Sequence, residues 1–264
     1  MRQILNSNID SNWPNIEIDY YKKVELFIDS LSGYQNNESF KILWVKEAES
    51  ISHFKQIAIS NSHLFDAILT YDDEILSKCS NSHIMLFGTS WVHDYKLTNE
   101  KEFKISHLTG HKNWVEGHSL RHEIYKNQDN IKTPKDFYIS HHGNINNSFN
   151  NKILYDSKTP MFNSQFHICI ENSKQNNYFS EKLIDCFVTK TIPIYWGCPN
   201  ISNYFDTRGI FIANNLYEII DISNNVNSET YINKIEFINN NYELSLPYIT
   251  IVDRLLNKIK EILI

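Results

Sequence analysis

One segment of the chain alternates buried strand, helix and buried strand, and this pattern limits the fold more than any other feature. Residues 166–170 form a short apolar run, residues 180–189 have helical character, and residues 191–196 form a second apolar run that ends at Gly197. Two buried strands joined by a helix are typical of a parallel sheet with helices on its faces. The segment therefore predicts an α/β protein.

The same alternation runs through most of the chain. Further strands are predicted at residues 40–45, 65–70, 83–87, 103–108, 137–139 and 211–213, and helices at 74–79 and 119–127. Asp72 is placed to cap the first of these helices. Residues 94–102 are polar and resemble a linker. We therefore expect two Rossmann-like domains, residues 1–98 and 99–264, which face a cleft and are clasped by a C-terminal helix, with the ligand at the carboxyl ends of the strands.

Charge and cysteine content exclude several classes of protein. The net charge is −6 and like charges do not cluster, which argues against a surface that grips nucleic acid or an anionic membrane. The four cysteines form no Cys-x-x-Cys pair, so we expect free, buried thiols in a reducing compartment. No apolar window is long enough to form a transmembrane segment, and the first residues do not resemble a signal peptide. These features predict a cytoplasmic protein.

The start of the helix near residue 180 has an unusual charge pattern. Ser180 is a suitable N-cap, and the carboxylate of Glu181 is favoured in the first turn. The ammonium of Lys182 opposes the helix dipole there unless an anion is present. A bound phosphate or pyrophosphate would remove the conflict. The alternative is that Lys182 extends into water.

Three neighbouring stretches carry a resemblance to a known family. They are Glu-Asn-Ser at residues 171–173, Tyr-Phe-Ser-Glu-Lys-Leu at 178–183 and Thr-Ile-Pro-Ile-Tyr-Trp-Gly-Cys-Pro at 191–199. Their order and spacing resemble the C-terminal signature of the glycosyltransferase family that contains the α1,3-fucosyltransferases, with Ser180 where many members have threonine. The acidic turn at 47–50 and residues 65–74 resemble the acceptor domain of that family more weakly.

The resemblance implies a GT-B architecture and a GDP-linked donor sugar, normally GDP-fucose, transferred with inversion to a glycan hydroxyl. It places Asn172 near the donor nucleotide and Glu181 on the ribose. It places Tyr178 and Lys182 on the pyrophosphate, in a segment that Ser180 caps. Arg121 resembles a helix-borne arginine that clamps the same phosphates.

Glu47 matches the general base of the family, and the chemistry itself requires such a group. A base must take the proton of the acceptor hydroxyl, and fixed cations must neutralise the leaving nucleoside diphosphate. Glu49 is an alternative base, whereas Asp72 and Asp73 are better explained as helix-capping residues. The chain has no Asp-x-Asp motif, so we expect transfer without a metal cofactor. The expected acceptor is a glycan or a lipid-linked saccharide.

Several interpretations remain open. His118 and His122 stand four residues apart, a spacing that can hold zinc, but no His-Glu-x-x-His motif occurs. His111 or His118 could instead donate hydrogen bonds to phosphate or pack at a loop edge, and Lys112 faces the same choice. The chain could also use another GDP-deoxyhexose, or be a catalytically idle GDP-sugar-binding module.

Overall fold

Two parallel sheets form the framework of the protein, whose computed structural model describes residues 2–4, 6–7, 17–19, 23–92, 101–142 and 145–263. In chain order the strands are β1 (Arg2–Ile4), β2 (Asn6–Ser7), β3 (Glu17–Asp19), β4 (Val24–Ile28), β5 (Phe40–Val45), β6 (Ala67–Thr70), β7 (Ser82–Ile84), β8 (Glu102–Thr109), β9 (Lys135–Ser140), β10 (Lys152–Leu154), β11 (Ser164–Ile170), β12 (Ile192–Trp196) and β13 (Phe211–Ile212). The helices are α1 (Glu49–Ser52), α2 (Lys55–Ser60), α3 (Asp73–Lys78), α4 (Glu116–Lys126), α5 (Glu181–Val188), α6 (Leu216–Asn225), α7 (Ser228–Asn233), α8 (Ile235–Ser245) and α9 (Ile251–Leu263).

The first compact unit comprises Met1–Phe87 and Ile251–Ile264. Its sheet has the order β2-β4-β5-β6-β7 with every pair parallel, and β1 and β3 form a separate antiparallel pair. One face of the sheet packs against α2 and α3, and the other against α9. Leu255 and Ile259 are fully buried on that second face. They stand four residues apart and so lie on the same side of their helix.

The second unit is the continuous segment Gly88–Thr250. Its six strands have the order β10-β9-β8-β11-β12-β13, again all parallel. The chain moves from β8 outward to β9 and β10, and then returns to place β11 on the other side of β8. Ligands of open α/β sheets bind at such a reversal, outside the carboxyl ends of the strands. The ends of β8 and β11 are therefore the expected place for a site.

The α/β class with two parallel sheets, predicted from the sequence, is confirmed. β5 has the predicted bounds, Asp72 caps α3 through two backbone amides, and Ser180 caps α5. The sequence analysis missed β4 and β10. β4 follows a weakly periodic opening, and β10 has only three residues beside an asparagine-rich stretch.

The domain limits differ from the expectation of 1–98 and 99–264. Residue 98 and most of the expected linker lie outside the described residues, and the compact units divide between Phe87 and Gly88. The last helix was expected in the C-terminal domain, yet α9 packs within the first unit because its apolar face completes the core of that sheet. Arg254 Nη2 also donates to Leu86 O across 2.8 Å within this unit.

Candidate functional site

A cavity of about 290 Å³ opens in the second unit where β8 and β11 end. His107 and Leu108 of β8, and Ile168 and Ile170 of β11, contribute to its wall. Polar side chains reach it from the loop after β8 and from the helices α4 and α5; they are His111, Lys112, His118, Arg121, Glu181 and Lys182. The cavity thus lies at the strand reversal where a ligand is expected.

A buried carboxylate fixes the N-terminus of α5. Glu171, fully buried after β11, accepts the Ser180 amide at Oε1 (2.9 Å) and the Ser180 hydroxyl at Oε2 (2.6 Å). The Ser180 Oγ in turn accepts the backbone amide of Lys182 at 3.4 Å and its ammonium at 3.1 Å. Burial raises the pKa of Glu171, although Lys182 opposes the change. These contacts hold the first turn of α5 in place.

Lys182 has carboxylate partners in the protein itself. Its Nζ donates to Glu181 Oε1 at 3.1 Å and lies 3.9 Å from Glu171 Oε2. The ammonium in the first helical turn is therefore compensated by neighbouring charges. Glu181 is 4% exposed; burial favours its neutral form, but Lys182 and Lys158 hold its pKa at about 2. Glu181 is consequently ionised and Lys182 borders the cavity as a fixed cation.

Arg121 joins α4 to the loop that follows β11. Its Nε and Nη2 donate to Ile170 O at 3.2 and 2.6 Å, and Nη2 also donates to Asn172 Oδ1 at 2.9 Å. Burial lowers the pKa of the guanidinium. Nη1 makes no hydrogen bond to the described residues. The guanidinium is thus oriented from one side and lines the cavity, which suits it to bind an anion.

Gly117 allows α4 to approach this loop closely. Its amide donates to Asn172 O at 3.2 Å. A Cβ at this position would lie 1.8 Å from Glu171 O and 2.9 Å from Asn172 O. Only glycine fits, because the contact is with backbone that cannot move aside.

Lys158 is a cation of the site that the sequence analysis missed. Its Nζ donates to Asp185 Oδ2 at 3.1 Å and to Glu181 Oε1 at 3.4 Å, and lies 4.4 Å from the centre of the Trp91 ring. Burial lowers the pKa of Lys158, but Asp185 and Glu181 more than offset this and raise it. A sequence signal did exist. Glu181 and Asp185 stand four residues apart on a helix whose other residues, apart from Lys182, are apolar or cysteine. Two carboxylates on such a buried helix need a partner cation.

Two further predicted residues are not at the cavity wall. Tyr178, in the loop before α5, is 1% exposed, and the side-chain oxygen of Asn172 accepts a hydrogen bond from Arg121. Neither lines the cavity, whereas Lys112 does. The Lys112 ammonium lies 5.5 Å from the ring centre of Trp114. The structure therefore brings Arg121, Lys112, Glu181 and Lys182 to one space, with Asn172 supporting Arg121.

The histidines that the structure describes do not form a metal site. Among the described residues, no group of three or more His, Cys, Asp or Glu side chains is placed to hold a metal ion. His122 Nε2 pairs with Lys112 O at 3.1 Å, and His111 Nδ1 with His142 O at 2.8 Å. His118 is buried against the cavity. The zinc interpretation of His118 and His122 thus gains no third ligand in the part of the chain that the structure describes.

Glu47 lies in the first unit, directly after β5. Its backbone amide and that of Lys46 donate to the two oxygens of Asp29, at 3.1 and 2.9 Å. The Glu47 side chain is 29% exposed, and its Oε1 lies 3.8 Å from Lys46 Nζ. Glu49 Oε2, in contrast, accepts the amide of Lys55 at 2.8 Å in the first turn of α2. The carboxylate of Glu49 is thus held by a hydrogen bond, whereas that of Glu47 has the longer contact with Lys46.

The protein is similar to known proteins in one stretch of its sequence and in its fold. No family model matches the chain. A stretch of 44 residues is 41% identical to the α-(1,3)-fucosyltransferase FucT of Helicobacter pylori; it covers 17% of this chain and 9% of that relative. A crystal structure of an α1,3-fucosyltransferase with GDP superposes with a TM-score of 0.56 at 19% identity, over 91% of this chain and 77% of that one. TarM superposes with a TM-score of 0.59 at 12% identity, over 91% and 54%.

The two parallel α/β units and these structural neighbours define the class: the chain has the fold of the GT-B glycosyltransferases. Within that class it resembles the α1,3-fucosyltransferases, both in the 44-residue stretch and in fold. The chain spans about a tenth of the length of the curated relative it matches. No described helix is long and apolar enough to cross a membrane.

Proposed function

We propose that the protein is an inverting fucosyltransferase that moves L-fucose from GDP-fucose to a hydroxyl of a glycan or lipid-linked saccharide without a metal cofactor. The observation that carries the proposal is the convergence of Arg121, Lys182 and Glu181 on one cavity at the strand reversal of the second unit. Two fixed cations and an ionised carboxylate match the charges and hydroxyls of a nucleoside diphosphate.

Each group has a role that its chemistry supports. The guanidinium of Arg121 and the ammonium of Lys182 neutralise the diphosphate, and most strongly when the leaving group gains charge. The first turn of α5, capped by Ser180, adds the positive end of a helix dipole. The ionised carboxylate of Glu181 accepts hydrogen bonds from the ribose hydroxyls. Asn172 and Tyr178 do not line the cavity, and Asn172 acts by orienting Arg121.

Glu47 is proposed as the general base that removes the proton of the acceptor hydroxyl. Its carboxylate is partly exposed at the carboxyl end of β5, in a turn held by Asp29. Glu49 is committed to the start of α2, which favours Glu47 for the role. A cytosolic location is proposed with this activity, supported by the four cysteines, all free and buried.

A screen of nucleotide sugars by thermal shift tests the donor. A ligand at about 100 times its dissociation constant adds roughly 2.7 kcal/mol of stability. We expect stabilisation by GDP and GDP-fucose and none by UDP- or dTDP-sugars; the reverse pattern contradicts the proposal. Comparison of GDP-fucose with GDP-mannose tests the sugar, and tighter binding of GDP-mannose contradicts the assignment of fucose.

Turnover separates an enzyme from an idle binding module. GDP-fucose hydrolysis or transfer is measured for wild type and for Glu47→Gln, each with and without a chelator. We expect wild-type turnover that the chelator does not change, and loss of turnover in the variant with GDP binding intact. Binding without any turnover in wild type favours the idle module, and inhibition by the chelator contradicts transfer without metal.

A further inference from the structure

His118 is a buried imidazole that contributes to the wall of the cavity. It lies in the first turns of α4, three residues before Arg121, and is 3% exposed. Its Nδ1 is shielded from solvent and has no hydrogen-bond partner among the described residues. Trp114 packs edge-on against the ring at a centroid distance of 5.7 Å. A buried polar atom without a partner is costly. Because Nδ1 is shielded, a ligand in the cavity meets the ring at its other nitrogen, Nε2.

The charges around His118 are positive from three directions. Arg121 lies on the same helix, Lys112 on the preceding loop and Lys182 on α5, and all three disfavour the protonated ring. His122, one helical turn further, acts in the same sense. Burial and these cations lower the pKa of His118 to about 4. The imidazole is therefore neutral at physiological pH while the cavity holds no anion.

A diphosphate reverses this balance. Its negative charge, set among Arg121, Lys112 and Lys182, cancels the field that keeps the imidazole neutral. An anion within a few ångströms favours the charged form of a histidine and raises its pKa. The two carboxylates beside Lys182, those of Glu181 and Glu171, are already engaged by Lys182, Lys158 and Ser180. The incoming phosphate is thus the new anion that His118 meets.

We propose that His118 is a proton-coupled anion-binding residue: its imidazole takes up one proton from water when a diphosphate enters the cavity, and the resulting imidazolium donates a hydrogen bond to a phosphate oxygen. One N–H bond forms on the ring, the proton is supplied by the buffered solvent, and the ring gains one positive charge. This inference rests on the proposed function. Because the leaving nucleoside diphosphate carries more charge than the bound sugar donor, the protonated ring stabilises the leaving group in the transfer step.

Proton uptake on binding is the direct test. The full-length protein is titrated with GDP-fucose by calorimetry in two buffers of different protonation enthalpy, at several pH values between about 5 and 8. GDP-fucose is the suitable probe because it has no terminal phosphate, whose second pKa of about 6 would add its own protons. We expect wild type to take up a growing fraction of one proton per bound ligand as the pH falls.

Two variants identify the residue. His118→Gln keeps a polar side chain and is expected to bind GDP-fucose with no pH-dependent uptake. His122→Gln, on the same helix and outside the cavity wall, is expected to keep the wild-type uptake. Equal uptake in wild type and His118→Gln overturns this inference while leaving the proposed function intact. Absence of GDP-fucose binding by wild type overturns both.

Ring titration by NMR gives a second readout that needs no variant. The histidine ring signals of wild type are followed against pH with and without GDP-fucose. We expect the pKa of one buried histidine to rise by at least about one unit, a tenfold change in proton affinity, when the ligand is bound. Unchanged titration of every histidine on binding overturns the inference.

Discussion

The carboxylate of Glu171 receives two hydrogen bonds from Ser180, one from its amide at 2.9 Å and one from its hydroxyl at 2.6 Å. The pair closes the loop between β11 and α5, so that the end of the strand sets the position of the first helical turn. Lys182 then donates to the same hydroxyl oxygen at 3.1 Å. The cation of the candidate donor site is therefore positioned by a contact that is itself fully buried.

Removal of the Ser180 hydroxyl should lower the free energy of unfolding by more than the loss of an ordinary helix cap does. Ser180→Ala is expected to destabilise the protein by about 2–3 kcal/mol, since it removes a cap and leaves a buried carboxylate oxygen without its donor. Asn215→Ala is the matched control. It removes the exposed cap of α6 and should cost about 1 kcal/mol. Denaturant unfolding measures both, and equal losses would show that the contact with Glu171 adds nothing.

Gly117 should not tolerate a methyl group. Gly117→Ala places a Cβ 1.8 Å from Glu171 O, so α4 or the loop must move, at a cost above about 1–3 kcal/mol. Gly110→Ala serves as control because a Cβ there meets nothing within 4 Å. Thermal unfolding should separate the two variants clearly. Similar melting temperatures would mean that α4 can shift freely against the loop.

Lys158 should stabilise the protein through two buried carboxylates. Its partners Asp185 and Glu181 have side-chain exposures of 0% and 6%. Lys158→Met leaves the buried carboxylate of Asp185 without its cation and Glu181 with Lys182 alone, and is expected to cost about 3–5 kcal/mol. The double variant Lys158→Met/Asp185→Asn removes one of the stranded charges and should recover part of the loss. A double-mutant cycle in denaturant measures this, and strictly additive losses would contradict the pairing.

Titration of the Asp29 carboxyl should make the free energy of unfolding depend on pH. Burial raises the pKa of its carboxyl from 3.8 to about 6, against the hydrogen bonds from Lys46 and Glu47. The folded state therefore binds the proton more tightly than the unfolded state between about pH 4 and pH 6. The stabilisation is fully present below this window and is lost as the pH rises through it, by up to about 3 kcal/mol.

Unfolding of wild type and Asp29→Asn across that window isolates the contribution. The stability of wild type relative to the variant should fall as the pH rises from about 4 to 6 and then stay constant. Comparison of the two proteins cancels the titration of other groups. A difference that does not vary with pH would show that Asp29 titrates normally in the folded protein.

Glu47 and Glu49 should differ sharply in their effect on transfer. Glu47→Gln removes the proposed base and is expected to lower the transfer rate by about 10²–10⁴-fold, the usual contribution of a general base, with GDP-fucose binding unchanged. Glu49→Gln alters a contact with the Lys55 amide and should affect stability more than rate. Rates under saturating donor decide between them. A larger rate loss in Glu49→Gln would move the role of base to that residue.

Local sequence patterns predicted most of the strands and helices around the site in the second unit. The strands on either side of the site and the cap at Ser180 follow from apolar runs and from helix-start chemistry. The charged side chains that meet at the cavity come from α4 and α5, from the loop after β8 and, in Lys158, from the segment between β10 and β11. Arg121 and Lys182 were identified because they belong to a helix start and to a recognised sequence signature, which are local features.

Non-local contacts explain what the sequence did not predict. Lys158 reaches Asp185 across 27 positions of the chain, and Asp29 holds a turn that lies 17 and 18 positions later. Nothing in the residues around Lys158 or Asp29 indicates such partners. The placement of α9 failed for the same reason: amphipathic spacing predicts a helix and its buried face, but not which of two sheets covers that face.

The return of α9 to the first sheet makes the second unit an insertion. Residues 88–250 form one uninterrupted stretch, whereas the first unit is assembled from both ends of the chain. A hydrogen bond of 2.8 Å from the Arg254 side chain to Leu86 O joins the two segments of the first unit near the points where the second unit is inserted. We therefore expect that residues 88–250 can be replaced by a short loop between Phe87 and Ile251 with the first sheet retained.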